Sequence, residues 1–395
     1  EFVVNQVRKL ERENPELNYG NFAVLYRTNA QSRPIEDAFV RAQIPYTIVG
    51  GLKFYDRREI KDIIAYLRAV MNPSDTVSLL RVINTPRRGV GQTTIDNLQN
   101  AAHQLGVPLW EIINDETSVA TVAGRSAKGV QSFVNIINKW RSEAETRPVV
   151  DIVTGIIEDS TYVQELQTQG TDEALERIQN VQELVNATLQ FQEETESPTL
   201  EAYLSSAALS ADLDNLQEGK EAVSLMTLHA SKGLEFPIVF LVGLEAGLFP
   251  SYRSLNDPMA VEEERRLCYV GITRAQEMLY LSHARERRLY GSREPAVRSQ
   301  FIGELPPQLI NSNLRTKVKA KTTARTEPKS PKTVGNATNQ TTGWRVGDRV
   351  IHRSFGVGQI THVFGTENKQ SVAIKFPNLG QKIIDPKIVG LQKIE

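Results

Sequence analysis

The sequence predicts an α/β protein built on a parallel sheet, interrupted by a long helical stretch and followed by a small β-barrel. Three observations carry this expectation. Short apolar runs alternate with amphipathic helical patterns in residues 1–72 and again in 220–308, the alternation that builds a parallel sheet with helices on its faces. Residues 73–219 between them are almost wholly helical and polar-rich in pattern. From residue 344 onward short strands recur with glycine turns, the spacing of small barrels.

The elements follow in order. The chain opens on an amphipathic segment, Phe2-Val-Val-Asn-Gln-Val-Arg-Lys-Leu10, and its start at Glu1 within that segment reads as a piece taken from something longer. Phe22-Ala-Val-Leu-Tyr-Arg27 is a run of strand formers, and Ser32-Arg-Pro-Ile35 opens a helix with proline near its start. Tyr46-Thr-Ile-Val49 is a second strand ended by Gly50-Gly51, and residues 56–71 set Ile60, Ile63, Ile64, Leu67 and Val70 at helical spacing. Helical pieces then end at Pro108, Pro148 and Pro198. Strand character returns at Val223-Ser-Leu-Met-Thr227, Ile238-Val-Phe-Leu-Val242 and Met278-Leu-Tyr-Leu-Ser282, with a helix over residues 262–272. The division expected is a sheet domain from 1–72 and 220–308, a helical insertion over 73–219, a linker over 309–343 and a barrel over 344–395.

Within residues 311–343 stand seven basic residues (Arg315, Lys317, Lys319, Lys321, Arg325, Lys329 and Lys332) against one acid, Glu327. Rich also in Thr, Asn and Pro, this stretch reads as a disordered basic linker. The barrel strands are Asp348-Arg-Val-Ile-His352, Gly358-Gln-Ile-Thr-His-Val-Phe364 and Ser371-Val-Ala-Ile-Lys-Phe376.

A length of 395 residues exceeds one compact core and suits two or three domains. The 40% hydrophobic and 24% charged composition is that of a soluble globular protein. One cysteine, Cys268, excludes a disulfide framework and a cysteine-based zinc site; it fits a reducing cytoplasm, and no metal site is expected. No apolar run near 18 residues and no leader pattern occurs, so no membrane span is expected. A net charge of −1 means that any nucleic-acid contact must come from local patches.

The most informative segment is Val223 to Glu235, a buried strand running into Leu228-His-Ala-Ser-Lys-Gly-Leu-Glu235. Strand ends in parallel sheets are where ligands bind, and Gly233 lets the backbone turn there. Thr227, His229, Lys232 and Glu235 are then expected to face a crevice; the alternative is a loop with a capping serine and a solvated lysine. In the second segment, a helix from Glu263 to Arg274 would align Glu263, Leu267, Val270 and Arg274 on one stripe, so that Arg274 continues a buried face. A guanidinium there needs an anion. Two partners suit it, a carboxylate such as Glu263 on the same stripe, or a nucleotide phosphate, which its planar fork fits.

Together these segments, including Glu262-Glu-Glu-Arg-Arg-Leu-Cys-Tyr-Val-Gly-Ile-Thr-Arg-Ala275, resemble motifs V and VI of the UvrD, PcrA and Rep family of superfamily 1 DNA helicases. Upstream, Leu25-Tyr-Arg-Thr-Asn-Ala-Gln-Ser-Arg33 and Gly50-Gly-Leu-Lys-Phe-Tyr-Asp-Arg-Arg-Glu-Ile-Lys-Asp62 resemble two further segments of that family's second motor domain. The resemblance implies a RecA-like motor domain. It matches Arg274 to the arginine that reaches across the domain interface to the ATP γ-phosphate, a role worth roughly 10³ to 10⁵ in rate in related NTPases. Gly233 and Glu235 match positions near the nucleotide sugar and phosphates, Thr227 and His229 match contacts to the single-strand backbone, and Lys232 suits either. Arg27, Asn29 and Arg33 resemble residues on the DNA side; the alternative is that they cap the following helix. One departure is visible at Leu248-Phe-Pro-Ser251, where many members carry a histidine after Phe-Pro that lies against a base. Tyr252 follows here as an alternative aromatic surface, stacking being worth about 1 to 3 kcal/mol per base.

In the helical stretch, Thr85-Pro-Arg-Arg-Gly-Val-Gly-Gln-Thr-Thr94 precedes a helix beginning at Ile95. Taken alone it is an ordinary turn between helices. In context it resembles the family's duplex-gripping loop: Gly89 and Gly91 admit a close backbone, Thr93 or Thr94 caps the helix, and Arg87 and Arg88 neutralise phosphates, with strong salt dependence. The run Trp344-Arg-Val-Gly-Asp-Arg-Val-Ile-His-Arg-Ser-Phe-Gly-Val-Gly-Gln-Ile360 resembles the Tudor-like module that ends PcrA-type proteins, which implies RNA polymerase as a partner; a small barrel without a dedicated partner is the alternative.

The sequence holds no Gly-x-x-x-x-Gly-Lys-Ser/Thr loop, since its Gly219-Lys220 is followed by Glu221, and no apolar strand ends in Asp-Glu. The phosphate loop and the magnesium ligands for ATP are therefore expected on a first motor domain, preceding Glu1. The expected activity is that of a cytoplasmic, nucleoid-associated bacterial helicase translocating 3′ to 5′ on single-stranded DNA and opening duplex at junctions, with negligible activity from this chain alone. Two alternatives stand beside it: a non-catalytic module binding nucleic acid and RNA polymerase, and the helicase part of a helicase-nuclease, which the lack of an Asp, Glu and Lys cluster near the C-terminus disfavours.

Overall fold

The computed structural model describes residues 1–215, 221–289, 292–311, 344–352, 356–364, 371–376, 380–384 and 391–394. It divides into two units, Glu1–Asn313 and Leu314–Glu395. The expected basic linker lies almost wholly outside the described residues.

The first unit begins with α1 (Phe2–Glu13), β1 (Phe22–Tyr26), α2 (Ser32–Arg41), β2 (Tyr46–Ile48) and α3 (Arg58–Met71). Helices α4 (Thr76–Val82), α5 (Gln92–Leu105), α6 (Leu109–Asn114), α7 (Glu116–Ala123), α8 (Ala127–Glu143), α9 (Val149–Asp159), α10 (Tyr162–Gln169), α11 (Asp172–Glu194) and α12 (Leu200–Asn215) follow. Strands β3 (Val223–Thr227) and β4 (Phe236–Leu241), helix α13 (Pro258–Ile272) and strand β5 (Ala275–Leu281) then complete one sheet. A hairpin of β6 (Glu286–Leu289) and β7 (Ser292–Pro295) and the short α14 (Gln300–Gly303) end the unit.

All pairings in the sheet are parallel, in the order β2-β3-β1-β4-β5. Every residue of β1 is buried, because a central strand covered on both faces has no solvent side and so reads as a continuous apolar run. Successive side chains point to opposite faces. Phe22, Val24 and Tyr26 therefore join Val223, Leu225 and Phe240 in a core under α1 and α2. Ala23 and Leu25 join Met226, Val239, Leu241 and Cys268 in a second core under α13.

The helices between β2 and β3 share a separate core that runs from Phe54 to Tyr203. It takes in Ile60, Ile63, Tyr66, Leu67 and Val70 of α3, so the helical packing begins before residue 73. Periodicity establishes that α3 buries a face; it does not say against which core. Pro108 and Pro148 are the N-caps of α6 and α9, and Pro198 stands just before α12. Each proline marks a break by starting the next helix, where a missing N–H costs nothing.

In the second unit, β8 (Arg349–His352), β9 (Gly356–Phe364), β10 (Ser371–Phe376), β11 (Gly380–Ile384) and β12 (Gln392–Ile394) form an antiparallel sheet in the order β11-β10-β9-β8-β12. Val350, Ile360, Val372 and Ile374 make its core, with Trp344, Val363 and Leu391 against it. Among the described residues no helix is long and apolar enough to cross a membrane.

Candidate functional site

Residues 228–235 carry the chain from the carboxyl end of β3 to the amino end of β4. Thr227, at the end of β3, is level with Tyr26, and the Leu228 N–H donates to the Tyr26 carbonyl at 2.8 Å. The turn is closed by Ser231 N–H to Thr227 O at 3.2 Å, Ser231 Oγ to Leu228 O at 2.8 Å and Ala230 N–H to Thr227 Oγ1 at 3.3 Å. Gly233 has φ +86° and nothing within 4 Å of the place a Cβ would take, so conformation alone selects glycine there. Leu25 is level with Leu241 at the far end of β4, and at roughly 3.3 Å per residue the strand is about 20 Å long. Glu235, next to Phe236 at the start of β4, thus lies toward the amino edge of the sheet, and Thr227 and His229 lie at its carboxyl edge; Lys232, whose N–H reaches His229 O at 3.5 Å, and Gly233 stand on the turn between them. The expectation of a single crevice for all of them is corrected at Glu235, since β3 and β4 are parallel and the connection must return from the carboxyl to the amino edge.

At the amino edge, Arg274 follows the end of α13, and its carbonyl accepts from Phe236 N–H at 2.9 Å. Its guanidinium donates from Nε to Val270 O at 2.9 Å, from Nη1 to Leu234 O at 2.9 Å and from Nη2 to Thr273 Oγ1 at 3.1 Å. All three acceptors are neutral. Glu263 is exposed and pairs with Arg266 at 2.8 Å, which corrects the carboxylate partner considered for Arg274. The buried positions of α13 are Glu264, Cys268 and Gly271, one step round from the expected stripe, and Arg274 is half-buried. Lys232 and Glu235 are exposed, and neither forms a salt bridge among the described residues.

At the carboxyl edge, Glu264 receives Arg27 through Nη2 at 2.7 Å and Nε at 3.1 Å. Exposed His229 stands beside this pair; partial desolvation first, then the Arg27 charge, hold its ring below the ordinary histidine value, with Glu264 and Glu176 opposing. Gly271 lets α13 approach the loop, since a Cβ there would collide with Leu228 Cδ2. Tyr252 is 73% exposed. Arg33 and Asn29 do not reach this edge freely. Arg33 is 5% exposed and bonds Glu183 at 2.7 Å and Asp37 at 2.6 Å, while Asn29 Nδ2 donates to Glu176 of α11 at 2.9 Å. Neither caps a helix, nor does the Arg27 side chain. Helix α2 has no side-chain cap; in the turn before it, Gln31 Oε1 accepts from the N–H groups of Arg27 and Thr28 at 2.9 Å each.

In the helical region, Gly89 has φ +72° and Gly91 is the N-cap of α5. The helix starts at Gln92 with no side-chain cap. Thr93 and Thr94 sit inside its first turn, so neither is the cap, and Thr94 Oγ1 donates to Ser126 Oγ at 3.2 Å instead. Asn84 Oδ1 accepts from the N–H groups of Arg88 at 2.7 Å and Val90 at 3.2 Å. Arg88 turns inward, donating to Pro86 O at 3.0 Å and the Tyr66 hydroxyl at 2.5 Å, with its guanidinium 5.8 Å from the Phe133 ring centroid. Its work is internal, which corrects its expected place among the phosphate contacts. Arg87 is exposed.

Sequence reasoning missed Gln31, Glu264 and Gly271. Only Gly271 left a local sign, as a glycine within a helix.

A five-stranded all-parallel sheet with a hydrophobic core on each face places the first unit in the α/β class of parallel-sheet domains. The chain belongs to the UvrD-like helicase C-terminal domain family, which it matches over residues 1–286. Residues 346–384 match the PcrA/UvrD tudor domain. The chain is 37% identical over 419 residues to the ATP-dependent DNA helicase PcrA of Leuconostoc citreum, covering 100% of this chain and 56% of that one. It is 38% identical over 395 residues to the ATP-dependent DNA helicase PcrA of Bacillus subtilis (strain 168), covering 96% and 53%. It is 38% identical over 400 residues to DNA helicase II of Haemophilus influenzae, covering 100% and 54%. The chain thus spans about half the length of the curated relatives it matches.

Proposed function

We propose that this chain is the C-terminal portion of an ATP-dependent DNA helicase that moves 3′ to 5′ on single-stranded DNA and opens duplex. Residues 1–72 and 220–308 serve as the second, RecA-like motor domain, 73–219 as an inserted duplex-contacting domain, and 344–395 as a Tudor-like barrel that docks RNA polymerase. The observation that carries this reading is the crossing of residues 228–235. It separates the nucleotide candidates Glu235 and Arg274 from the strand candidates Thr227 and His229, with Lys232 and Gly233 on the turn between them.

The donor set at the amino edge fits the polyphosphate of ATP. A guanidinium has five N–H donors, and Arg274 spends three on neutral oxygens, leaving two donors and its full charge for an anion. Hydrolysis of the magnesium complex of ATP supplies the free energy, duplex opening costing about 1.4 kcal/mol per base-pair step. The bond to Leu234 O holds the Arg274 fork beside the open backbone of Gly233, and Glu235 is placed for the nucleotide sugar. At the other edge Thr227 and neutral His229 receive the strand backbone, with Tyr252 offering a ring for stacking. Arg87 and the open first turn of α5 grip duplex phosphates.

The test joins this chain to a matching first motor domain and measures DNA-stimulated ATPase with and without Arg274→Ala. A loss of roughly 10³-fold or more is expected; an unchanged rate removes Arg274 from the reaction.

A further inference from the structure

The nucleotide and strand contacts proposed above leave Glu264 without a role. It is 5% exposed. Its carboxylate holds Arg27 by a fork, Nε lying 3.1 Å from each oxygen and Nη2 2.7 Å from Oε1, and it also accepts from the Ser251 N–H at 3.4 Å. The two partners are unequally placed, the Arg27 side chain being 23% exposed and that of Glu264 6%. The anion faces the protein and the cation faces outward. Arg27 Nη1 has no hydrogen-bond partner among the described residues. A two-point fork fixes the guanidinium plane as well as its position, so the free Nη1 group has a defined direction at the carboxyl edge. His229, whose charge state responds to both partners, is its neighbour there. Arg33, the other arginine assigned to this side, has its Nε, Nη1 and Nη2 engaged by Glu183, Asp37 and Gln190 and offers no such face.

We infer that Glu264 is a positioning residue for single-strand binding: it clamps Arg27 by its Nε side so that Nη1 donates to a strand phosphate beside Thr227 and His229. The inference rests on reading the carboxyl edge as the strand-binding edge. Two consequences follow. The clamped pair is electrically neutral, so Arg27 engages the phosphate by directed hydrogen bonds without adding a unit of charge to the salt dependence. Removing the carboxylate charge frees Arg27 as a full cation that is less well aimed.

The experiment measures binding of fluorescent oligo(dT) to the 395-residue chain across a salt series, with an NMR titration of His229. For Glu264→Gln, the slope of log K against log salt is expected to steepen by about 0.7, the increment of one released counterion on a single strand. The His229 midpoint is expected to fall below that of the parent, and Glu264→Asp is expected to restore both. A parent slope and a parent midpoint in Glu264→Gln overturn the inference. Should that variant fold poorly, Arg27→Gln/Glu264→Gln removes both charges together. It is expected to keep the parent slope and to lose roughly tenfold in affinity, the size of one charge-assisted hydrogen bond; parent affinity there overturns the inference. Thr227→Val/His229→Ala separates the two levels. If it leaves oligo(dT) binding unchanged, the strand-edge reading fails and the inference with it. If it weakens binding while the Glu264 variants match the parent, the positioning role alone fails.

Discussion

Arg274 donates from Nη1 to the carbonyl of Leu234 at 2.9 Å, across 40 residues of sequence. This bond ties the end of α13 to the end of the crossing segment, and the contact between Gly271 and Leu228 ties the same helix to the start of that segment. Helix and segment are one packed body, and each contact can be tested separately.

Gly271→Ala places a methyl group against Leu228 Cδ2 and near both Leu241 methyls. Overpacking of this kind costs about 1–3 kcal/mol. Gly233→Ala meets open space, and its cost of about 1 to 2 kcal/mol is backbone strain alone at a positive φ. Urea unfolding of the two variants is expected to show destabilisation in both. Trimming Leu228 to alanine as a second change should recover part of the loss in the Gly271 variant only.

Arg33→Met leaves Asp37 and Glu183 without their cation. Breaking a buried pair in this way costs about 3–5 kcal/mol, measurable as a lowered urea midpoint at neutral pH. Burial holds the Asp37 carboxyl above its ordinary value, against the pull of Arg33 and Arg41. The folded state therefore binds that proton more tightly than the unfolded chain, and its contribution to stability rises as pH falls through the raised value. The deficit of Arg33→Met is expected to shrink on mild acidification; a deficit independent of pH would contradict this account.

His229 is expected to titrate below an ordinary histidine, because desolvation and Arg27 both disfavour its charged form. The sign for stability follows. The unfolded chain binds the proton more readily, so the stabilising contribution is complete above the ordinary histidine value and is lost as pH falls through the folded one. Arg27→Met is expected to raise the midpoint, read from the His229 ring resonances.

Arg87 and Arg88 are adjacent but should separate cleanly. Arg88→Ala removes bonds to Pro86 O and to the Tyr66 hydroxyl and is expected to lower the melting temperature. Arg87→Ala is expected to leave melting unchanged while weakening duplex binding and reducing its salt slope by about 0.9. Equal effects of both variants on the slope would mean that Arg88 turns outward on the duplex.

The sheet was legible because buried parallel strands leave uninterrupted apolar runs such as Phe22 to Tyr26, which need no partner to be recognised. The start of α13 was legible too, though read late: Asp257 caps the helix and Pro258 opens it, whereas apolar spacing alone pointed to residue 262. The phase of that helix was not. Leu267 and Val270 are apolar and spaced as a buried stripe, yet the buried positions are Glu264, Cys268 and Gly271, because a carboxylate is buried where a distant arginine meets it. Arg27 and Glu264 stand 237 residues apart, and Arg33 and Glu183 stand 150 apart. No local pattern announces such partners, which is why Arg33 read as a residue of the DNA side or a helix cap and not as half of a buried ion pair. The two-edged site was hidden for a related reason. Sequence places Thr227 and Glu235 eight positions apart, and it is the parallel direction of β3 and β4 that draws Glu235 away from the edge where Thr227 lies.

Helix α13 runs from Pro258 to Ile272, and two of its residues meet the ends of different strands: Glu264 holds Arg27 just past β1, and Gly271 packs on Leu228 just past β3. Seven residues separate them, about 10 Å along a helix. A helix keeps that spacing unless its own hydrogen bonds break, so it works as a brace that holds Arg27 and the loop carrying His229 in one register.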